Sequence, residues 1–223
     1  MSWHLVHGVP LPDPVAGHPA LDFCNTRAGW GSPAPKEYLT RPAAVLLWAI
    51  DAGLLPPPFA APSCDLPPET TVDPVAELGL RRAHALREAL YPCALGDGTA
   101  SDWALVAREA TAARAASSLE PGPDGARWRL RPDGAAPTLL ALHAIAASAE
   151  TLLISPLAAC VAACPGAGCG WLFADPRRRR RWCSMAVCGN RAKARRFAGS
   201  RRQGRSDALL GDRSHSRSGP SAE

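Results

Sequence analysis

Four cysteines near the C-terminus constrain this chain more than any other feature of its sequence. Cys164 and Cys169 form one C-x4-C pair, Cys183 and Cys188 form a second, and thirteen residues separate the two pairs. Two short turns joined by a loop can bring four thiolates to the corners of a tetrahedron, which is the geometry of a structural zinc site. The spacing therefore predicts that these four cysteines bind one structural Zn²⁺.

Arginine is concentrated around these cysteines. Five consecutive arginines, Arg177 to Arg181, occupy the loop between the pairs, and a second basic group follows Cys188. Residues 164–198 hold nine basic residues and one acidic residue, net +8, whereas residues 1–163 hold 11 basic and 16 acidic residues, net −5. Positive charge confined to one short segment favours a polyanionic partner, most often nucleic acid.

We expect the nucleic-acid contacts to come from this segment. The candidates are Arg177, Arg178, Arg179, Arg180, Arg181, Trp182, Asn190, Arg191, Lys193, Arg195 and Arg196. The stretch after Cys188 suits a short basic helix that a zinc site would fix at its start, and such a helix fits the major groove of double-stranded DNA. RNA stays an alternative partner, because an arginine run beside a tryptophan suits single strands equally well.

Two other uses of the arginines stay open. Four thiolates and one Zn²⁺ carry a net charge of about −2, so one or two arginines would serve to neutralise the site. A basic module could also bind an acidic protein, which would make the chain an interaction adaptor.

The remaining cysteines are Cys24, Cys64, Cys93 and Cys160. They show no pair spacing, so we expect buried apolar residues or free thiols. Cys160 lies four residues before Cys164 and is an alternative ligand.

The rest of the pattern predicts a mainly α fold with a few short strands. Helical spacing of apolar residues predicts helices at about 40–52, 73–93, 101–119 and 137–154. Thr40, two residues before Pro42, and Asp73, directly before Pro74, are expected to cap the first two helices. An extended piece is expected at 20–26, a proline-rich loop at 54–72 and a short strand at 127–131.

The predicted organisation is a helical domain at 1–160, a four-cysteine zinc-finger module of treble-clef or ribbon type at 161–200, and a polar disordered tail at 201–223. No apolar run approaches the roughly 18 residues that a membrane span needs, and the N-terminus has no basic start followed by an apolar core. We therefore expect a cytoplasmic protein without a membrane partner.

Two segments resemble known families. Cys188-Gly189-Asn190-Arg191, inside RRRRRWCSMAVCGNRAKARRF, resembles the CGNR zinc finger. GHPALDFCNTR at 17–27, followed by a Tyr-Leu pair, a helix containing Trp48 and then Gly53, is similar to the ABATE domain that precedes this finger in bacterial proteins. The resemblance implies a stress-induced transcription regulator whose finger binds DNA, with zinc held by the four cysteines.

The N-terminal motif has two interpretations. Asp22, Asn25, Thr26 and Arg27 could line a pocket for a small-molecule effector, or form a polar network that fixes the N-terminal segment to the helices. The domain would then serve as a sensor or as an oligomerisation unit, and a homodimer on repeated half-sites would explain tight specific binding. The sequence contains no G-x-S-x-G, phosphate-binding loop or H-E-x-x-H, so we do not expect an enzyme.

Overall fold

The computed structural model describes residues 2–56, 73–123, 125–132 and 134–198. The described helices before residue 156 are α1 (Pro19–Cys24), α2 (Pro42–Asp51), α3 (Pro74–Leu95), α4 (Ala100–Ala115) and α5 (Pro137–Leu153). A 3-10 turn follows at Pro156–Cys160. The described strands pair as antiparallel hairpins: β1 (Trp3–Val6) with β2 (Val9–Pro12), β3 (Arg27–Ala28) with β4 (Lys36–Glu37), β5 (Ser117–Gly122) with β6 (Gly125–Leu130), and β7 (Val161–Ala163) with β8 (Leu172–Ala174). The predicted fold class, mainly α with a few short strands, is confirmed.

The helix α5 is the centre of the hydrophobic core. It packs against α1, α2, α3 and α4, and buried residues recur along its length at Leu142, Ile145, Ala149 and Leu152. A helix that is contacted on several sides needs apolar side chains around most of its circumference. Its many alanines meet that requirement and leave room for the neighbouring helices.

The contact between α3 and α5 depends on a glycine. A Cβ atom at Gly79 would lie 2.7 Å from Cγ2 of Thr138, a separation that van der Waals contact does not allow. Thr138 is itself buried at the start of α5. The absence of a side chain at Gly79 therefore permits the close approach of these two helices.

The helix boundaries follow local signals in most places. Asp73 caps α3 by accepting a hydrogen bond from the amide of Val75, and Gly96 ends it with a φ of +83°. Thr99 begins α4 with a reciprocal capping box to Asp102. The helix start that was predicted at Asp73-Pro74 is confirmed.

Three local predictions are wrong. The segment expected to be extended at 20–26 is mostly the helix α1, because Pro19 suits a first turn and Leu21 and Phe23 are buried on it. Thr40 does not cap α2, whose preceding residue is Arg41 without a side-chain cap. The helix expected to reach 119 ends at Ala115, because Ser117 begins the hairpin with β6.

The chain divides into two compact units, residues 1–183 and residues 184–223. In the second unit, a π-helical turn at Met185–Gly189 leads into a helix at 190–198, here called α6. No helix among the described residues is both long and apolar enough to cross a membrane. The predicted tail at 201–223, most of the predicted loop at 54–72 and Cys64 lie outside the described residues.

We predict that Gly79→Ala lowers the free energy of unfolding by about 1–3 kcal/mol, because the new methyl group would overpack the contact with Thr138. In an ordinary helix interior the same substitution is stabilising by about 1 kcal/mol, so the sign of the effect tests the packing. Denaturant unfolding measures it. Adding Thr138→Ser removes the opposing Cγ2 and should restore part of the loss; a stabilising single substitution would contradict the close approach.

Candidate metal centre and basic segment

The first cysteine pair lies on the hairpin of β7 and β8. The amide of Cys164 donates to the carbonyl of Trp171 at 2.8 Å, and the amide of Cys169 donates to the carbonyl of Gly166 at 2.8 Å. Gly168 and Gly170 have φ values of +65° and +67°, in the left-handed region that favours glycine. These turns place the two cysteine side chains at one end of the hairpin.

The second pair is formed by Cys183, which precedes a helical turn, and Cys188, which belongs to that turn. Cys188 lies within the turn Met185–Gly189, and its amide donates to the carbonyl of Ser184 at 3.0 Å. The chain then continues directly into α6. Because this pair leads into a helix and not into a second hairpin, the observed elements favour the treble-clef alternative over the ribbon.

The four sulfur atoms fit a tetrahedral zinc ion. The Sγ atoms of Cys164, Cys169, Cys183 and Cys188 all lie within 4.8 Å of one another, and all four residues are buried. The Sγ atoms of Cys169 and Cys183 are 3.7 Å apart, close to the edge of about 3.8 Å that Zn–S bonds of about 2.3 Å give. This separation excludes a disulfide between them. Cysteine fills all four ligand positions, so the zinc is structural.

The other described cysteines lie outside this cluster. Cys160 is partly exposed, and the metal-binding group contains Cys164 in its place. Cys24 and Cys93 are buried, and burial raises the pKa of both thiols. The expectation of buried, unpaired thiols is therefore confirmed for Cys24 and Cys93.

Arg180 differs from its neighbours in the arginine run. Its guanidinium donates to the carbonyl oxygens of Val15, at 2.8 Å, and of Cys183, and its Cζ lies 4.7 Å from the centre of the Phe173 ring. Its amide donates to Oδ2 of Asp175 at 2.6 Å. Arg180 thus fixes the backbone next to a zinc ligand.

The other four arginines of the loop are exposed to solvent, as Arg180 also is. The side chains of Arg177, Arg178, Arg179 and Arg181 are exposed. The Cζ of Arg181 lies 5.3 Å from the centre of the Trp182 ring, and Trp182 is half-buried. These residues form a basic surface that extends from the loop between the cysteine pairs.

The second basic group lies on α6, where a short helix was predicted. Its exposed polar and basic residues are Asn190, Arg191, Lys193, Arg195 and Arg196. Arg191 and Arg195 are one helical turn apart and share a face. The Nδ2 of Asn190 donates to the carbonyl of Ala186 at 3.0 Å and so links the helix to the preceding turn.

The N-terminal motif makes hydrogen bonds within the protein. Oδ1 of Asp22 accepts from the amides of Val15 and Ala16 at 2.9 Å each. Burial raises the pKa of Asp22 to about 6, against the lowering effect of these amides and of Arg180. Asp22 therefore organises the loop before α1.

The next three residues of this motif, Asn25, Thr26 and Arg27, form hydrogen bonds with residues far away in the sequence. Asn25 bonds to the backbone of Leu172, Thr26 lies between the carbonyl of Phe23 and Arg87, and Nη1 of Arg27 donates to Glu88 at 2.6 Å. Arg27 also lines a cleft of about 450 Å³, together with Glu37, His84 and Arg87 among others. These bonds form the polar network of the second interpretation, and a ligand pocket at this motif stays a prediction.

Sequence reasoning missed Arg87, a fully buried arginine that pairs with Glu37 and donates to Oγ1 of Thr26 at 3.0 Å. No local spacing marks it, because its partners lie 50 and 61 residues away in the sequence.

The comparisons with known proteins agree with this geometry. Residues 17–156 match the ABATE family, described as "Putative stress-induced transcription regulator". The chain belongs to the ABATE family. Residues 161–202 match the CGNR zinc finger, so both resemblances drawn from the sequence are confirmed. Together with the four converging cysteines, the match establishes one structural zinc in this ABATE protein. Neither description is that of an enzyme, and no curated protein matches the chain.

We predict that Arg180→Ala lowers the free energy of unfolding of the zinc-loaded protein by about 1–2 kcal/mol, because it removes charge-assisted hydrogen bonds to two backbone carbonyls. Arg179→Ala is the matched control, since it removes the same charge from an exposed neighbour, and should change stability by no more than about 0.5 kcal/mol. Chemical unfolding of both variants measures the difference. Equal losses would show that Arg180 has no special structural role.

Proposed function

We propose that this ABATE protein is a transcription regulator that binds double-stranded DNA through its zinc-stabilised basic segment. The observation that carries the proposal is the exposure of the basic side chains of α6 directly after a buried site of four cysteines. Residues 1–163 carry a net charge of −5 and offer no comparable attraction for phosphate. The proposal places the protein in the cytoplasm, where it would meet DNA.

The two basic regions have different proposed roles. Arg191 and Arg195, on one face of α6, would enter the major groove and contact base edges or phosphates. The exposed arginines of the loop, Arg177 to Arg179 and Arg181, would contact mainly phosphates, and Trp182 would stack against a sugar or a base. Zinc would have no catalytic part, because no ligand position remains for water or substrate.

Fluorescence anisotropy across a salt series tests this proposal. Zinc-loaded protein should bind random-sequence duplex DNA, and Arg191→Ala/Arg195→Ala should weaken binding at low salt by about ten-fold or more. The slope of log K against log salt should fall in magnitude by about two, if each arginine releases one counterion. Arg81→Ala/Arg131→Ala removes the same charge from exposed sites in the acidic part of the chain and should leave binding nearly unchanged.

The alternatives predict other outcomes. Preference for single-stranded RNA of the same length would identify an RNA-binding protein. Absence of binding to either nucleic acid would favour an adaptor that docks an acidic protein partner. Equal losses in the two double variants would show that α6 is not the contact surface.

We also propose that the N-terminal domain is a sensor for a small amphipathic molecule. A groove of about 1090 Å³ lies between α5, the β6 strand and the loop after α2. Its wall includes Trp128, which is 51 % exposed, and Arg114, whose Cζ lies 4.9 Å from the centre of that ring. An apolar lining beside a guanidinium favours an aromatic or aliphatic body that carries an anionic group.

The anionic dye 1-anilinonaphthalene-8-sulfonate is a suitable probe of this groove. We predict saturable dye binding that Trp128→Ala weakens and Trp103→Ala does not, because Trp103 is similarly exposed, at 44 %, but does not line the groove. Fluorescence titration measures both. If neither substitution changes dye binding and sedimentation shows a dimer that Trp128→Ala dissociates, the exposed face serves oligomerisation instead.

A further inference from the structure

A buried amide clamps the strand that follows the first pair of zinc ligands. Nδ2 of Asn25 donates to the carbonyl of Leu172 at 2.9 Å, and the amide of Leu172 donates to Oδ1 of Asn25 at 2.8 Å. Asn25 is fully buried, and 147 residues separate the two partners in the sequence. One side chain therefore satisfies both backbone groups of Leu172, as a neighbouring strand would.

The zinc ligand Cys169 is also hydrogen-bonded to the N-terminal part of the chain. The carbonyl of Cys169 accepts hydrogen bonds from the amides of Gly29, at 3.2 Å, and of Trp30, at 3.3 Å. The indole Nε1 of Trp171 donates to the carbonyl of Arg27 at 3.2 Å. The backbone of residues 27–30 thus fixes both Cys169 and the residue that pairs with Cys164.

A third contact with the hairpin is made at Gly170, by Tyr91 and Trp30. The hydroxyl of Tyr91 donates to the carbonyl of Gly170 at 2.7 Å, and the Tyr91 ring stacks on Trp30 with centroids 3.9 Å apart. A Cβ atom at Gly170 would lie 2.7 Å from Cβ of Trp30. This glycine is therefore needed for the close approach as well as for its positive φ.

We infer that Asn25 and Tyr91 are positioning residues of the zinc site, and that zinc binding is energetically coupled to the N-terminal part of the chain. Asn25 holds the backbone at Leu172 and Tyr91 holds it at Gly170, both close to the first cysteine pair, and neither residue is a zinc ligand. Partners outside the ligand set commonly change metal affinity by about 10- to 100-fold when removed. Coupling between two sites is reciprocal. Zinc binding therefore stabilises the segment at 25–30 by the same free energy by which that segment stabilises zinc binding.

Zinc affinity of the full-length protein tests the inference directly. Competition with a chromophoric chelator should show that Asn25→Ala raises the Kd for zinc by about ten-fold or more. Tyr91→Phe, which removes only one hydroxyl and keeps the stacked ring, should raise it by a smaller factor. Thr26→Val is the matched control: Thr26 is equally buried in the same segment, but its hydroxyl bonds to Phe23 and Arg87 and not to the hairpin. It should leave the Kd within about two-fold of the wild-type value.

Two further readouts separate positioning from general stability. The ligand-field spectrum of the Co²⁺-substituted protein should change in Asn25→Ala and stay unchanged in Thr26→Val. Chelation of zinc from the wild-type protein should increase amide hydrogen exchange at residues 29, 30 and 172, while the amides of α4 keep their protection. Because Tyr91→Phe is conservative, the inference can be tested even if Asn25→Ala does not fold.

The inference is overturned if Tyr91→Phe, and Asn25→Ala where it folds, bind zinc with wild-type affinity. It is also overturned if zinc removal leaves exchange at 29, 30 and 172 unchanged. No nucleic acid enters these measurements, so their outcome is independent of the proposed DNA binding.

Discussion

The convergence of four thiolates on one metal ion is the interaction on which the C-terminal part of this protein depends. Between residues 176 and 198, the buried residues are Cys183, Cys188 and Gly189, so this stretch has no apolar core of its own. Short segments of this kind need a metal or a disulfide to stay folded. Zinc ligation therefore supplies the free energy that apolar burial supplies elsewhere.

The arginines of this stretch have two different electrostatic roles. All of these arginines are exposed, but the guanidinium of Arg180 donates to the backbone carbonyls of Val15 and Cys183. A cluster of positive charge repels itself, and the thiolates of a zinc site offset part of that repulsion. The same residue type thus serves both the integrity of the segment and its proposed attraction for phosphate.

Much of this architecture could be predicted from the sequence because its signals are local. The cysteine spacing indicated the metal site, and Asp73-Pro74 indicated the start of α3. The errors have tertiary causes: α1 is a helix because Leu21 and Phe23 are buried together, and α4 ends early because β5 pairs with β6. The contacts of Asn25 with Leu172 and of Arg87 with Glu37 could not be predicted, since each joins residues far apart in the chain.

The match to the first family ends at residue 156 and the match to the second begins at 161, as if the two parts were independent domains. The hydrogen bonds between residues 25–30 and the hairpin at 161–174 nevertheless cross that boundary. A chimera whose residues after 160 came from another member of the family would still have all four zinc ligands. The two surfaces that meet around Gly170 would, however, no longer be complementary. Engineering of the proposed DNA specificity should therefore exchange only the exposed side chains of α6, or transplant the hairpin together with residues 25–30. Covariation between these two distant stretches is the evolutionary trace that this arrangement should leave.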